Sequence, residues 1–241
     1  ARAALLGAVV LVAVALRLWM ALTTELTDTA ALITLRMSEH LAHGQGFVYN
    51  PGEHVLGTTA PLYAMLLALG IKAGLPGLAF GKGLTILADA SLCVAVYTWL
   101  RTLGQERAGR LAALLVALSP RLVHWSVSGM GMSLVTLGAI CTWIAFARGR
   151  YRTAYAILAL LFIARWDSLV LTLAFTLAVT FRQRRLPLGG LAVFALVVAP
   201  WVAFATWYFG SPIPVTWAAK AAVQSRVLGP AIAPYWRELV H

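Results

Sequence analysis

Asp28 and the pair Arg165 and Asp167 are the residues of this sequence whose types and positions best suit chemistry. Asp28 follows the first apolar segment and directly precedes a stretch with helical spacing. A carboxylate at such a position either caps the helix or acts as a general base, and the two roles are compatible. Arg165 and Asp167 share a short turn between two apolar segments, where charges indicate an internal ion pair or a polar cavity.

Lys72 and Lys82 are candidates for binding a phosphate group. They lie on either side of the short break between the apolar segments 60–74 and 80–100. Such side chains either snorkel to water or bind a phosphate or pyrophosphate carried by a lipid. Arg17 and Asp89 lie inside apolar segments, where an ionised group is either functional or paired with a charge on a neighbouring helix.

Other kinds of site lack support in the sequence. The histidines and the two cysteines show no metal-ligand spacing, so we predict no metal ligands among them. The sequence also has no phosphate-binding glycine loop and no nucleophile elbow.

The elements that must position these residues are membrane helices. Of the 241 residues, 61% are hydrophobic and 11% are charged, whereas a soluble domain carries about a quarter charged residues. The net charge of +11 comes from basic residues clustered in short turns between apolar segments. That distribution orients membrane proteins, so we predict membrane lipids as partners and no nucleic acid.

Three arginine clusters define the cytoplasmic face in this prediction. Basic residues accumulate in cytoplasmic loops, so an even number of crossings must separate each cluster from the next. The apolar segments available for crossing are residues 3–22, 60–74, 80–100, 109–126, 130–147, 153–164, 168–181 and 187–208. The clusters are Arg101, Arg107 and Arg110; Arg148, Arg150 and Arg152; and Arg182, Arg184 and Arg185.

The rule requires two crossing helices within 153–181 and none over 60–74. A single helix over 153–181 would place Arg165 and Asp167 in mid-membrane, so we predict a turn there. A helix over 60–74 would span only about 22 Å, short of a hydrocarbon core of roughly 30 Å, which predicts a re-entrant or interfacial segment. The result is an all-α transmembrane bundle, one domain over residues 1–241, with about seven crossings of the plasma (inner) membrane. Its N-terminus is cytoplasmic and its C-terminus outside.

The first outer loop, residues 23–79, has an organisation of its own. Helical spacing over 30–41 predicts a helix on the membrane surface, and the glycines with Asn50 and Pro51 predict turns after it. Most of the acids fall on this predicted outer face, which indicates a site that opens outward. These acids are Glu25, Asp28, Glu39, Glu53, Asp167 and Glu238.

The residues from Asp28 to Leu67 resemble the first outer loop of the GT-C-type polyprenyl-phosphate-sugar-dependent glycosyltransferases, in particular their arabinofuranosyltransferase-like and mannosyltransferase-like members. The shared features are an acid, a helix with an arginine, a glycine-rich turn and a Pro-Leu segment, and later motifs follow in the family's order. In this sequence they are Asp28, Arg36, Gly44 to Gly46, Asn50-Pro51-Gly52-Glu53, Pro61-Leu62, Ser128-Gly129-Met130, Arg165-Trp166-Asp167, Tyr208-Phe209-Gly210-Ser211-Pro212-Ile213-Pro214 and Lys220.

The resemblance implies transfer of a sugar from a polyprenyl phosphate to a cell-envelope acceptor at the outer face of the membrane. Asp28 would deprotonate the acceptor hydroxyl, and an apolar groove between helices would hold the polyprenyl chain. A divalent metal is left open by the resemblance, and family members continue into further helices and an outer domain. The residues expected to bind the donor phosphate are Lys72, Lys82 and Arg165, and those expected to contact substrate or support the site are Arg36, Asp167 and Lys220.

Two positions depart from the family's motifs. Thr29 replaces the second member of an acidic pair, and Gly131 replaces the glutamate expected after Ser-Gly-Met. Without these carboxylates, a non-catalytic GT-C-like subunit of a larger membrane complex is the alternative to an enzyme. A transporter is a third hypothesis. It would need ionisable residues aligned through the membrane, and only Asp89 suggests it.

Overall fold

The computed structural model describes residues 2–215, which form helices joined by short connections. The predicted all-α class is confirmed over this range, and one turn of 3-10 helix, Trp166–Ser168, accompanies the α-helices. In chain order these are α1 (Arg2–Thr23), α2 (Thr29–Ala42), α3 (Pro61–Lys72), α4 (Gly77–Thr102), α5 (Glu106–Leu118), α6 (Pro120–Val127), α7 (Met132–Ala147), α8 (Tyr151–Ala164), α9 (Leu169–Gln183) and α10 (Leu188–Phe209).

Three helices of the described range are long and apolar enough to cross a membrane. They are α1 over Ala4–Thr23, α4 and α10. The helices α3, α7 and α8 are apolar but shorter, and the longest of them would reach only about 24 Å at 1.5 Å per residue. The described part of the chain is therefore a helical bundle with at least these three candidate spans.

The structure divides the apolar segment 109–126, which the prediction counts as one crossing, into α5 and α6 at Ser119. Pro120 has no N–H to donate, and it disfavours a helical conformation at the residue before it. Ser119 accordingly has an extended backbone with ψ 114°, and its hydroxyl accepts from the Leu122 N–H to cap α6.

At this break, Arg17 forms a buried ion pair with Asp89 and so links α1, α4 and α5. Its guanidinium donates to the Asp89 carboxylate at 2.7 Å, and both side chains are fully buried. The guanidinium also donates to the carbonyls of Ala117 at 2.9 Å and Val116 at 3.2 Å, which lose their helical donors at the break. Asp89 is thus paired with a charge on a neighbouring helix, and it no longer supports the transporter hypothesis.

The helices run between two ends of the bundle. At the polar end, the Asp28 N–H donates to the Ser128 carbonyl at 3.0 Å, and Arg165 lines the same cavity as Asp28. At the arginine end, residues 149–153 line a different cavity together with Gln183, Pro187, Gly189 and Gly190, so the second and third arginine clusters lie close together. Because α9 connects the turn at Arg165 with the third cluster, those two turns lie at opposite ends, as predicted.

The loop of residues 23–79 covers the polar end of the bundle. The predicted helix over 30–41 is confirmed as α2, and Gly44, Gly46 and Gly52 turn the chain with positive φ. The helix α3 forms a hairpin with α4, in which the Phe80 ring packs directly on Gly70. Its 12 residues are too few to cross a membrane, which agrees with a segment that does not span.

The loop shares one hydrophobic core with α8 and α10. Met37, Phe47 and Leu56 pack in it with Phe162 and Trp201. Beyond α10, the backbone returns to the loop, where the N–H of residue 215 donates to the carbonyl of residue 56 at 3.1 Å. The loop is therefore a packed part of the bundle, and it can hold site residues in fixed positions.

Candidate functional site

A cavity of about 310 Å³ opens at the polar end, where four parts of the chain meet. Its wall contains Asp28 at the start of α2, residues 57–60 ahead of α3, Met130 in the turn before α7, and Arg165 at the end of α8. The structure therefore brings together the predicted general base and one of the three predicted phosphate-binding residues.

Asp28 is held in place through both its side chain and its backbone. Its Oδ1 accepts from the Ala30 N–H at 2.8 Å, so the predicted cap of α2 is present. Its own N–H donates to the Ser128 carbonyl at 3.0 Å, which ties α2 to the turn after α6. The residue is half-buried in the cavity wall. With Oδ1 used by the cap, Oδ2 is the oxygen available to a substrate hydroxyl.

Threonines supply the rest of the polar wall, and the sequence singled out only Thr29 among them. Thr34 and Thr58 are buried, and their hydroxyl groups share a hydrogen bond of 2.9 Å. The Thr58 hydroxyl also accepts from the Ala60 N–H at 3.1 Å, which supports the start of α3. Thr29 and Thr59 line the cavity as well. Adjacent threonines ahead of an apolar helix resemble an ordinary turn, so the sequence carries little signal for them.

Arg165 and Asp167 form the ion pair that the sequence allows. The Arg165 Nε donates to both carboxylate oxygens at 3.0 and 3.3 Å, and Nη2 donates to Oδ2 at 2.7 Å. Arg165 is 18% exposed and Asp167 59% exposed, so the guanidinium is the more enclosed partner. Its hydrogen bond holds the pKa of the Asp167 carboxyl below its usual range, which keeps the pair ionised at neutral pH. The pair therefore fixes the guanidinium at the cavity wall.

A second, apolar cavity of about 220 Å³ adjoins the first between α3, α7 and α8. Met130 and Arg165 line both cavities, which makes the two spaces neighbours. A ligand with a charged group at Arg165 and an apolar tail could occupy both. Most of the lining of this groove is aliphatic: Leu62, Leu66, Leu134, Val135, Ile157, Leu160 and Leu161.

The two lysines predicted to bind phosphate do not line this cavity. Lys82 donates to the Leu26 carbonyl at 3.0 Å, so it supports the connection that leads to Asp28. Lys72 is exposed in the last turn of α3, about 16 Å along the helix axis from the cavity at its start. Of the three predicted phosphate-binding residues, Arg165 alone shares the cavity with Asp28.

Arg36 and Lys220 are the other two residues that were predicted to contact substrate or support the site. Arg36 is exposed, donates to the Tyr49 carbonyl at 3.1 Å, and places its guanidinium 4.8 Å from the centre of the Tyr49 ring. It thus fastens α2 to the loop that follows, away from the cavity wall. Lys220 lies outside the described residues.

Gly131 stands where the resembled motif has a glutamate, and here the backbone does not favour a side chain. Its φ is +69°, the left-handed region, and a Cβ at this position would lie 2.9 Å from the Tyr63 ring. Tyr63 is itself buried between Gly131 and Gly81. The space that the motif's carboxylate would need is therefore occupied by an aromatic ring.

We expect Gly131→Ala to lower the free energy of unfolding by about 1–2 kcal/mol for the left-handed backbone alone, before any displacement of Tyr63. Thermal unfolding of the detergent-solubilised protein measures this change. Gly83→Ala is the matched control, because Gly83 lies within α4 with open space around it, and alanine there should be neutral or stabilising. Equal unfolding temperatures for the two variants would contradict this account of the turn.

The described residues offer a divalent cation little support. Within residues 2–215, no group of three or more histidine, cysteine, aspartate or glutamate side chains could hold a metal ion. In the same range, Asp28 is the one carboxylate residue that lines the polar cavity. A single carboxylate does not make a divalent metal site, so the chemistry derived below uses no metal.

The chemistry open to this site follows from its parts. A fixed carboxylate can accept a proton, a fixed guanidinium can stabilise an anion, and the groove beside them can hold an apolar chain.

Comparisons of the chain with protein-family models, with curated proteins and with solved structures find no match.

Proposed function

We propose that this chain is a membrane-embedded glycosyltransferase of the GT-C type, which transfers a sugar from a polyprenyl phosphate to a cell-envelope acceptor. The observation that carries the proposal is the position of Arg165, which lines both the polar cavity of Asp28 and the apolar groove. A polyprenyl phosphate has the same division into a charged group and an apolar chain. The order of the motifs that resemble the GT-C family supports the same assignment.

The proposed membrane topology places the polar cavity on the outer face of the plasma membrane. Basic turns are retained in the cytoplasm, so the arginine end faces inward and the polar end outward. The helices α5 and α6 together cover residues 106–127, about 33 Å if they run end to end, and they count as one crossing. The N-terminus is then cytoplasmic. The proposed crossings are α1, α4, α5 with α6, α7, α8, α9 and α10. Because α8 and α9 reach only about 21–23 Å, the turn at Arg165 that joins them lies below the outer membrane surface.

In the proposed reaction, Asp28 acts as the general base. Its Oδ2 takes the proton from the acceptor hydroxyl while that oxygen attacks the anomeric carbon of the donor sugar. The bond from this carbon to the phosphate oxygen breaks, and polyprenyl phosphate leaves with the electron pair. Arg165 stabilises the negative charge on the leaving phosphate, and Asp167 holds the guanidinium in position.

Sugar transfer by the purified protein tests the proposal directly. The detergent-solubilised chain is incubated with a panel of radiolabelled polyprenyl-phosphate sugars and a cell-envelope acceptor fraction, and transfer from at least one donor is expected. The absence of transfer across the panel, with copurification of the chain in fixed stoichiometry with a larger complex, would favour the alternative of a non-catalytic subunit. Thr29 and Gly131 are the residues that favour this alternative, because each replaces a carboxylate of the resembled motifs.

We expect Arg165→Gln to lower kcat/KM for sugar transfer by about a hundredfold, the typical cost of removing one group that stabilises a developing anion. The fold should tolerate this change, because the partner Asp167 is 59% exposed and water can solvate it. Lys72→Gln removes the same charge from an exposed position outside the cavity, and its kcat/KM should stay within about twofold of the unaltered protein. A larger loss for Lys72→Gln than for Arg165→Gln would remove Arg165 from the phosphate site.

A further inference from the structure

A third cavity lies at the arginine end of the bundle, where the proposed transfer reaction uses no residue. Its volume is about 470 Å³, and it opens between the start of α8 and the start of α10. The 14 residues of α8, about 21 Å of helix, separate it from Arg165. Its lining is Gly149, Arg150, Tyr151, Arg152, Thr153, Gln183, Pro187, Gly189 and Gly190.

The cavity wall carries positive charge without local compensation. Arg150 and Arg152 line it and are exposed, and four further arginines occupy the same two turns. Residues 148–153 and 182–190, which form these turns, contain no aspartate or glutamate. No salt bridge within the described range involves any of the six arginines. The four further arginines are Arg148, Arg182, Arg184 and Arg185.

Two helix N-termini add donors to the same wall. Neither α8 nor α10 has a side-chain cap. The first three N–H groups of α8 and the Gly189 N–H of α10 are left for another acceptor, whereas the Leu188 and Gly190 N–H groups donate to the carbonyls of Leu186 and Pro187. Each N-terminus also carries the positive end of a helix dipole. The two helix starts are held together because the Tyr155 ring packs directly on Gly190, where any side chain would collide with it. The relative position of the two helix starts is therefore fixed before a ligand arrives.

We propose that this cavity binds a phosphate-bearing ligand through Arg150, Arg152, the first-turn N–H groups of α8 and the Gly189 N–H of α10. Guanidinium groups form strong, paired hydrogen bonds to phosphate oxygens, and open helix N-termini favour the same anions. The arginine end faces the cytoplasmic leaflet under the rule for basic turns, and that leaflet carries anionic phospholipids. The phosphate can thus come from a lipid head group or from a soluble compound.

Binding to two defined probes tests the proposal and separates these sources. The full chain in neutral detergent is titrated with a short-chain phosphatidylglycerol and, separately, with inorganic pyrophosphate, while phosphatidylcholine of the same chain length serves as the zwitterionic control. Binding of phosphatidylglycerol alone identifies a membrane lipid, and binding of pyrophosphate identifies a site that also accepts free phosphates. If neither probe binds more tightly than phosphatidylcholine, the proposal is overturned.

Matched variants separate this cavity from the general charge of the arginine end. Arg150→Gln with Arg152→Gln should weaken binding of the successful probe by about tenfold or more, since each change removes hydrogen bonds to a charged group. Arg101→Gln with Arg107→Gln removes the same charge from exposed positions on another turn and should change the affinity by less than about threefold. Equal losses for the two pairs would show that only net charge matters and would overturn the proposal.

Gly189→Glu tests the cavity without removing an arginine. The nearest atom within 4 Å of a Cβ at this position is the Arg152 Nε at 3.8 Å, so a Cβ meets no close contact there. Its carboxylate would lie in the first turn of α10, where a negative charge stabilises the helix. We expect an unfolding temperature equal to or above that of the unaltered protein, together with loss of probe binding. Unchanged binding in this stable variant would place the ligand elsewhere.

Discussion

Replacing Asp89 with leucine will lower the free energy of unfolding by about 3–5 kcal/mol, because it leaves the Arg17 guanidinium buried without a counter-charge. Both side chains are fully buried, and 2.7 Å separates Arg17 Nε from Asp89 Oδ2. Thermal or denaturant unfolding in detergent measures the loss. Arg121→Met is the control, because it removes an exposed arginine from α6 and should cost less than about 0.5 kcal/mol.

The double variant Arg17→Met with Asp89→Leu will recover part of this loss. Removing both charges removes the unpaired ion, but it also removes the donors that Arg17 supplies to the Val116 and Ala117 carbonyls. The Ala117 carbonyl then stays buried without a partner beside the Ser119 break, at a cost of about 1–3 kcal/mol, whereas the contact with the Val116 carbonyl is less buried. Full recovery would show that the carbonyl contacts contribute nothing and that Arg17 acts through Asp89 alone.

Much of the fold could be predicted because its signals are local. The decision for two helices around Arg165 and Asp167 followed from the cost of placing charges in mid-membrane, and the structure has a turn there. The break at Ser119 was not predicted, because apolar residues lie on both sides of Pro120 and the segment therefore looks continuous, although Pro120 has no backbone N–H. The partner of Asp89 could not be predicted either, since the sequence shows that a buried charge needs compensation without showing which helix supplies it.

From the sequence, the candidate site could be predicted only to the extent of which end of the bundle each residue occupies. Sidedness placed Asp28 and Arg165 at one end of the bundle, and the structure puts both in one cavity. It does not determine lateral position, so Lys72 and Lys82 were grouped with them although neither lines that cavity. The Tyr63 ring beside Gly131 depends on how α3 packs against the turn before α7, and no local pattern encodes that contact.

Asp28→Asn will lower the rate of sugar transfer by about 10²- to 10⁴-fold, the usual contribution of a general base, while leaving the fold intact. Asparagine caps helices about as well as aspartate, so its side-chain oxygen can still accept from the Ala30 N–H. The substitution therefore removes the base and keeps the cap. Both the rate from the best donor and the unfolding temperature are measured.

Asp28→Ala separates the two roles of this residue, because it removes base and cap together. Losing the cap should cost about 0.5–2 kcal/mol of stability, and losing the base should reduce transfer as much as Asp28→Asn does. If Asp28→Asn transfers sugar at the original rate while Asp28→Ala is merely less stable, Asp28 is a helix cap and the proton acceptor lies elsewhere. If both variants lose transfer but only alanine loses stability, the carboxylate is the base, because the cap alone cannot account for the lost rate.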